Sequence, residues 1–359
     1  MIGLFQEDIL EFDGRSSRAH GDGRDPAYPG APVGFLAHAY RTPSRVVTSA
    51  ELEDSLGLGR GVIKRLTGIE RRGYIGRGES LQSLAVGACR DILFKSGLKP
   101  LDVDCLIFYT DSPPVMPDGA GHRKVFYDVS AHIQYILRES GVELACECVG
   151  MAGSCVSFLH ASQMAVGLVR SGMKKNVLVV GAACNSLFLE STDKNVAMTF
   201  GDGAAASLIT ASSDVGLIDI FCMTDGQGYD AGCYPEYRSL FIDRKRVSDF
   251  APRGFHAALK GLLARTGLRI EDIDVVIPHQ AGIKIIERGM ALAGVPWEKV
   301  YLCLQDVGNT GAPAVQMALA RAEEEGRLAE GNLVALVAFG TGWNYGAAAF
   351  RYHDARSGR

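Results

Sequence analysis

The chain carries a diverged copy of its own first half. SGLKPLDVDCLIFYTDS at 96–112 returns as TGLRIEDIDVVIPHQAG at 266–282. A later unit, SQMAVGLVRSGMKKNVLVVGA from Ser162, returns as VQMALARAEEEGRLAEGNLVALVAFG from Val315. The helix-like pattern ahead of the first pair returns as well. A supersecondary unit that appears twice constrains the fold more than any composition does. Each unit alternates a helical pattern with a short apolar run, so each half should be a mostly parallel sheet covered by helices. We therefore expect a polar leader over 1–32, a first half over 33–211 and a second over 212–359. A site between them would draw corresponding loops from both.

The most informative stretch of the first half is CECVGMAGSCVSFLHASQMAVGLVRSGMKKNVLVVGA, from Cys146 to Ala182. Phe158, Leu159, Ser162, Ala165, Val166 and Val169 recur at helical spacing, and Gly172 closes that helix. The run Val177 to Val180 reads as a buried strand. Cys155 then stands where a loop becomes a helix N-terminus, and unpaired N–H groups and the helix dipole there should lower the thiol pKa. Gly150, Ala152 and Gly153 leave room for a substrate. A buried cysteine is more often inert packing, and this stretch alone leaves both readings open.

The second half supplies its counterparts. His279 ends the strand-like DVVIPH, where open α/β sheets keep functional groups. Gln163 aligns with Gln316, which sets the Cys155 turn opposite Gly308, one residue before Asn309. Taken singly, His279 would be structural and Asn309, in VGNTGAP, a turn or cap. Together they put Cys, His and Asn at matched ends of related elements.

Composition closes off other classes. A chain of 359 residues, 47% hydrophobic, can bury a large core. A net charge of −4 gives no electrostatic case for nucleic acid or an anionic membrane. No apolar run is long enough to span a bilayer, and MIGLFQEDILEFDG is acidic where a signal peptide is basic. The nine cysteines are scattered, without CxxC or metal-ligand spacing, so we expect a reducing cytoplasm and no metal. Along the chain we expect a strand at Pro32–Ala37, then a helix from Thr48 through Leu56 and a short helix ending near Thr67. A helix at Leu81–Ser96, a strand at Val103–Tyr109 and a helix at Tyr127–Ser140 should follow. Phe200–Thr210 and Val215–Met223 read as a strand pair, and 224–252 as irregular with a basic cluster of Arg238, Arg244, Lys245 and Arg246.

The segments GSCVSF, VVGA, FGDGAAA, IPHQAGIKII, VGNTGAPAV and AFGTGWNYGAAAF resemble those of β-ketoacyl-acyl-carrier-protein synthase III, of the thiolase superfamily. The resemblance runs from about residue 33 to 352. It implies a five-layered αβαβα thiolase fold and a homodimer with the strand Val177–Val180 at its interface. It implies Cys155 as nucleophile, His279 and Asn309 as the partner pair, and an oxyanion hole of the Cys155 and Thr341 backbone N–H groups. Thr341 stands in FGTGW where the family usually has consecutive glycines.

The reaction so implied is acylation of Cys155 by a thioester, then decarboxylative condensation with a malonyl-type thioester. Acyl-coenzyme A or acyl carrier protein would be the partners, with no metal or organic cofactor. Val62 and Leu66 replace the usual tryptophan and arginine that sandwich adenine, and Ser154 and Ser157 replace small residues around the nucleophile. These departures resemble the secondary-metabolism branch. They keep an acyltransferase with a hydroxyl or amine acceptor as an alternative. A silent partner subunit ranks last, because Cys155, His279 and Asn309 are all present.

Overall fold

The computed structural model describes residues 32–113, 115–117, 123–125, 128–190, 193–212 and 216–354. The expected leader, Pro32 apart, lies outside them. The first sheet uses β1 (Val33–Arg41), β2 (Cys105–Thr110), β3 (Glu147–Ala152), β4 (Asn176–Ala183) and β5 (Gly203–Ala211), in the spatial order β1-β5-β4-β2-β3. The second uses β6 (Gly216–Thr224), β7 (Val275–Pro278), β8 (Leu333–Gly340) and β9 (Asn344–Arg351), in the order β6-β9-β8-β7. In each sheet two neighbouring pairings are antiparallel and the rest parallel, in the same sequence. The repeat seen in the residues is thus a repeat of topology. The counterpart of β3 has shrunk to one bridge, Val276 to Val300.

The helices sort into layers by what they cover. The helix α1 (Leu81–Ser96) and α2 (Val129–Glu139) lie on the outer face of the first sheet. Two more, α3 (Ser157–Arg170) and the later helix Ala314–Glu324, touch both sheets and fill the middle. Between these in sequence, α4 (Arg244–Thr266) and α5 (Ile283–Leu292) pack with each other and α4 covers the second sheet; Ala314–Glu324 is then α6. The result is the expected αβαβα sandwich, with one apolar cluster between the sheets and one under each outer layer.

Local chemistry explains several element ends. Thr48 accepts the Glu51 N–H while Glu51 bonds back to the Thr48 N–H, a capping box that stabilises Ser49–Leu56 by about 1 kcal/mol. Ser80 caps α1, and Gly97 at φ +69° ends it in the left-handed region.

Three expectations are corrected. Every residue of β4 is buried, and β4 is hydrogen-bonded on both sides, to β5 and β2. It has no free edge, so Val177–Val180 cannot pair with a second chain. The expected strand pair of 200–210 with 215–223 does not form either. β5 closes against β1 and β4 in the first sheet, and β6 opens the second against β9. The chain crosses between halves there. Finally, 244–252 is helical: Asp243 accepts the Arg246 N–H, and α4 runs on through Pro252. A proline in mid-helix costs one hydrogen bond, here outweighed by the buried face of Phe250, Ala251, Phe255 and Leu259. Two residues of the basic cluster are paired locally, Arg246 with Asp230 and the Trp343 ring, and Arg238 with Glu236.

A buried polar group runs through the middle layer. The Gln316 amide on α6 donates to the Val179 carbonyl and the Ser207 hydroxyl, each at 2.9 Å, and accepts from the Tyr109 hydroxyl at 2.5 Å. Ser207 in turn meets His38 Nδ1 at 2.8 Å. A Cβ at Gly181 would lie 2.3 Å from the Tyr109 oxygen, so only glycine makes room for this phenol.

Candidate active site

Cys155 sits in the turn between β3 and α3, half-buried. The turn is held at both ends. The Gly153 N–H donates to the Thr110 carbonyl at 3.1 Å, and Ser157 N–H to the Ser154 carbonyl at 2.9 Å. The thiol does not have the lowered pKa expected from its place before a helix. Burial, and next the charge of Asp111, push it well above its ordinary value, with its own backbone N–H acting weakly against them. Desolvation disfavours the anion more than the helix end favours it. The resting group is a thiol.

The second half reaches this turn through the end of β8. A Cβ added to Gly340 would lie 2.9 Å from the Cys155 backbone nitrogen and 2.4 Å from Ser154 Oγ. The bare Cα of Gly340 therefore lets two backbones meet at the Cys155 turn. Thr341 follows at once; its side chain packs against Gly232 and its carbonyl accepts the Asn344 amide at 2.8 Å.

His279 directly follows β7, and its N–H donates to the Val337 carbonyl at 2.8 Å, extending the parallel pairing with β8 by one residue. Its ring stands edge-on to Phe339, 5.6 Å between centroids, one residue before Gly340. Only 1% of the residue is exposed, and burial lowers its pKa to about 3. The imidazole is neutral at any ordinary pH, and Nδ1 has no partner among the described residues.

Asn309 is held by the other half. Its N–H donates to the Thr199 carbonyl at 3.1 Å, and its carbonyl accepts from Gly201 at 2.9 Å. Its side-chain oxygen accepts the Gly311 N–H at 2.9 Å, which leaves the amide nitrogen as a donor. Gly308 at φ +70° makes the approach possible.

Three residues of this neighbourhood were not singled out from the sequence: Asp111, Asn185 and Tyr234. Asp111 follows β2, and its Oδ2 accepts the Ala312 N–H at 2.7 Å. Burial raises its pKa to about 7. Tyr234 donates to Asn185 Oδ1 at 2.6 Å. The repeat held a signal for one of them. Tyr109 is the residue opposite His279 in the aligned copies, and Asp111 lies two residues on, at the same strand end.

Among the described residues, no three His, Cys, Asp or Glu side chains are placed to hold a metal ion. The helix Val62–Thr67 exposes Leu66 at 46% and half-buries Val62. Neither offers a flat aromatic or cationic face at that place.

A sandwich of duplicated sheets with a cysteine turn, a strand-end histidine and an asparagine turn at the junction defines a thiolase-fold condensing enzyme. The family described as 3-oxoacyl-[acyl-carrier-protein] synthase III matches residues 150–226, and its C-terminal part matches 263–352. The β-ketoacyl-[acyl-carrier-protein] synthase III of Clostridium perfringens is 30% identical over 331 residues, covering 86% of this chain and 95% of that protein. The structure of 3-oxoacyl-[acyl-carrier-protein] synthase III from Aquifex aeolicus superposes with a TM-score of 0.81 at 27% identity, over 89% of this chain and all of that one. The priming β-ketosynthase of the R1128 polyketide pathway superposes with a TM-score of 0.79 at 26% identity, over 90% and 98%. This chain belongs to the β-ketoacyl-acyl-carrier-protein synthase III family.

Proposed function

We propose that the protein makes a carbon–carbon bond by decarboxylative condensation of two acyl thioesters. What supports this is the Cys155 turn against Gly340 at the β8 end, the His279 ring edge-on to Phe339 one residue before it, and the Asn309 turn tied through Ala312 to the end of β2. In the first step the Cys155 sulfur attacks a thioester carbonyl. The oxyanion is held by the backbone N–H groups of Cys155 and Thr341, and the carrier thiol leaves with a proton. In the second step a malonyl-type thioester loses CO₂. The electrons of the broken C–C bond become an enolate, held by His279 and the Asn309 amide; the enolate carbon attacks the acyl carbonyl and displaces the Cys155 thiolate, which takes a proton from water to return to the resting thiol. A neutral imidazole suits this role, because an enolate oxygen needs a donor and no proton need be lost. Thiol, amide and imidazole suffice, so the reading needs no metal or organic cofactor.

Acyl-coenzyme A or acyl carrier protein delivers the substrates, as the relatives' names imply for the carrier. The site belongs to two halves, 33–211 and 212–359. A homodimer in this reading uses β3, an end strand of the first sheet with no described strand on its far side and with Val149 and Met151 only partly buried. The cysteines are all free, which fits a reducing cytoplasm. No helix among the described residues is long and apolar enough to cross a membrane.

The test is intact-protein mass spectrometry with a panel of acyl-coenzyme A and acyl-carrier-protein thioesters, then a chase with malonyl thioester. An acyl mass on Cys155 that is cleared with release of CO₂ and a β-ketoacyl product is expected. An acyl mass that ignores malonyl thioester but is cleared by an alcohol or amine replaces condensation with acyl transfer.

A further inference from the structure

Asp111 links the two turns that the reaction needs. It follows Thr110, whose carbonyl holds the Gly153 N–H of the nucleophile turn at 3.1 Å. Its own Oδ2 takes the Ala312 N–H, three residues past Asn309, at 2.7 Å. Among the described residues no cation is a hydrogen-bond or ion-pair partner of it. Around it stand dipoles instead. A Cβ on Gly311, which has φ +69°, would lie 2.2 Å from Asp111 Oδ2 and 2.8 Å from the Asn185 amide nitrogen. Tyr234 fixes that amide by donating to its oxygen. Asp111 Oδ1 is buried and has no hydrogen-bond partner of ordinary geometry among the described residues, and the Asn185 amide beside it offsets the burial only in part. A carboxylate left without a counter-charge in the interior is costly, and a chain without a use for it would place an apolar or amide side chain there.

We propose that Asp111 is a positioning residue: one oxygen ties the Asn309 turn of the second half to the strand end that holds the Cys155 turn. Its charge adds to the burial that keeps the thiol protonated between turnovers. The inference rests on the acyl-enzyme reading above. The titratable groups that feel this carboxyl's charge are Cys155 before α3, Tyr109 on β2 and Tyr234; burial raises each of them first and Asp111 next. His279 is neutral and adds no charge. A thiolate formed while Asp111 is ionised would put two like charges together, so the thiol keeps its proton until a bound thioester takes up the charge as it develops.

Two variants separate the tie from the charge. Asp111→Ala removes both, whereas Asp111→Asn keeps an oxygen for the Ala312 N–H and removes only the charge. Acylation by an acyl thioester and turnover with malonyl thioester are measured separately in rapid-quench experiments. Cys155 alkylation by iodoacetamide is followed against pH. For Asp111→Ala, turnover is expected to fall on the order of a hundredfold, while acylation falls far less, because only the second step uses the displaced Asn309. Asp111→Asn should recover turnover. Its alkylation profile should move to lower pH by about one unit or more, the effect of removing a neighbouring like charge. Equal losses in both steps for Asp111→Ala, or no recovery in Asp111→Asn, would overturn the tie. Superimposable alkylation profiles for wild type and Asp111→Asn would overturn the charge. A wild-type protein that never gains an acyl mass sinks the parent reading instead, and the alkylation comparison still decides this one.

Discussion

The Cys155 turn and the Asn309 turn hold the same place in the two halves, between the last element of a sheet and a helix of the middle layer. They are built differently. A strand paired along its length with β2 leads into Cys155, and the turn is left half-open. Into Asn309 lead one bridge, the short helix Leu304–Val307 and a glycine in the left-handed region. Asn309 itself is 5% exposed and held by Thr199, Gly201 and Gly311. One copy of the repeated turn is left with freedom and carries the cysteine proposed as nucleophile. The other has given up freedom to hold a neutral donor still. The difference follows from the tasks: a nucleophile must meet two substrates in succession, and a hydrogen-bond donor works only if it need not reorganise.

The largest effect is expected where the comparison is most lopsided. Cys155→Ala should take no acyl mass at all, since no other described cysteine lies in this turn. An acyl adduct on the folded variant would move the nucleophile elsewhere. Asn309→Ala should keep much of the acyl burst yet lose roughly a hundredfold or more in malonyl-dependent turnover, about 3 kcal/mol of transition-state stabilisation. His279→Ala should lose turnover likewise. Rapid-quench acylation beside steady-state product formation reads both.

A smaller and sharper effect comes from the clamp on Asn309. A Cβ at Gly201 would lie 2.6 Å from the Val307 carbonyl, which is backbone and cannot swing away. Gly201→Ala should therefore cost about 1–3 kcal/mol of stability and slow the second step more than the first. Loss of the two in equal proportion would mean that the clamp does not position Asn309. Least in size is a pH effect. Burial and Asp111 hold the Cys155 thiol protonated, so acylation should climb as pH rises above neutral. His279, with a pKa of about 3, stays neutral throughout, so the second step followed from pre-formed acyl-enzyme should be flat from about pH 5 to 9. A fall in the second step near pH 6.5 would show an imidazole that titrates.

Periodicity and capping were legible because they are local. The Thr48 capping box and the span Leu81–Ser96 are written in adjacent residues, and the structure places both there. The pairing of β5 and β6 was misjudged because nearness in sequence says nothing about which sheet a strand enters when both edges of a neighbour are open. The helix through Pro252 was missed because its buried face, not its propensity, decides it. The repeat brought Cys155, His279 and Asn309 into view as counterparts. It could not show that Asp111 raises the thiol, since that depends on how deeply two side chains are buried once the halves close.

Gln163 and Gln316 are aligned in the repeat, yet the first is exposed and the second wholly buried. The packing around α6 between the two sheets is largely apolar, and burial of apolar surface is non-directional. Sliding α6 by a turn would strip Gln316 of the Val179 carbonyl, the Ser207 hydroxyl and the Tyr109 hydroxyl together, leaving an amide unsatisfied in the interior. The buried glutamine thus works as a vernier mark. Because Cys155 and Asn309 hang from opposite sides of that contact, the alignment of their two turns is set by a residue that touches neither.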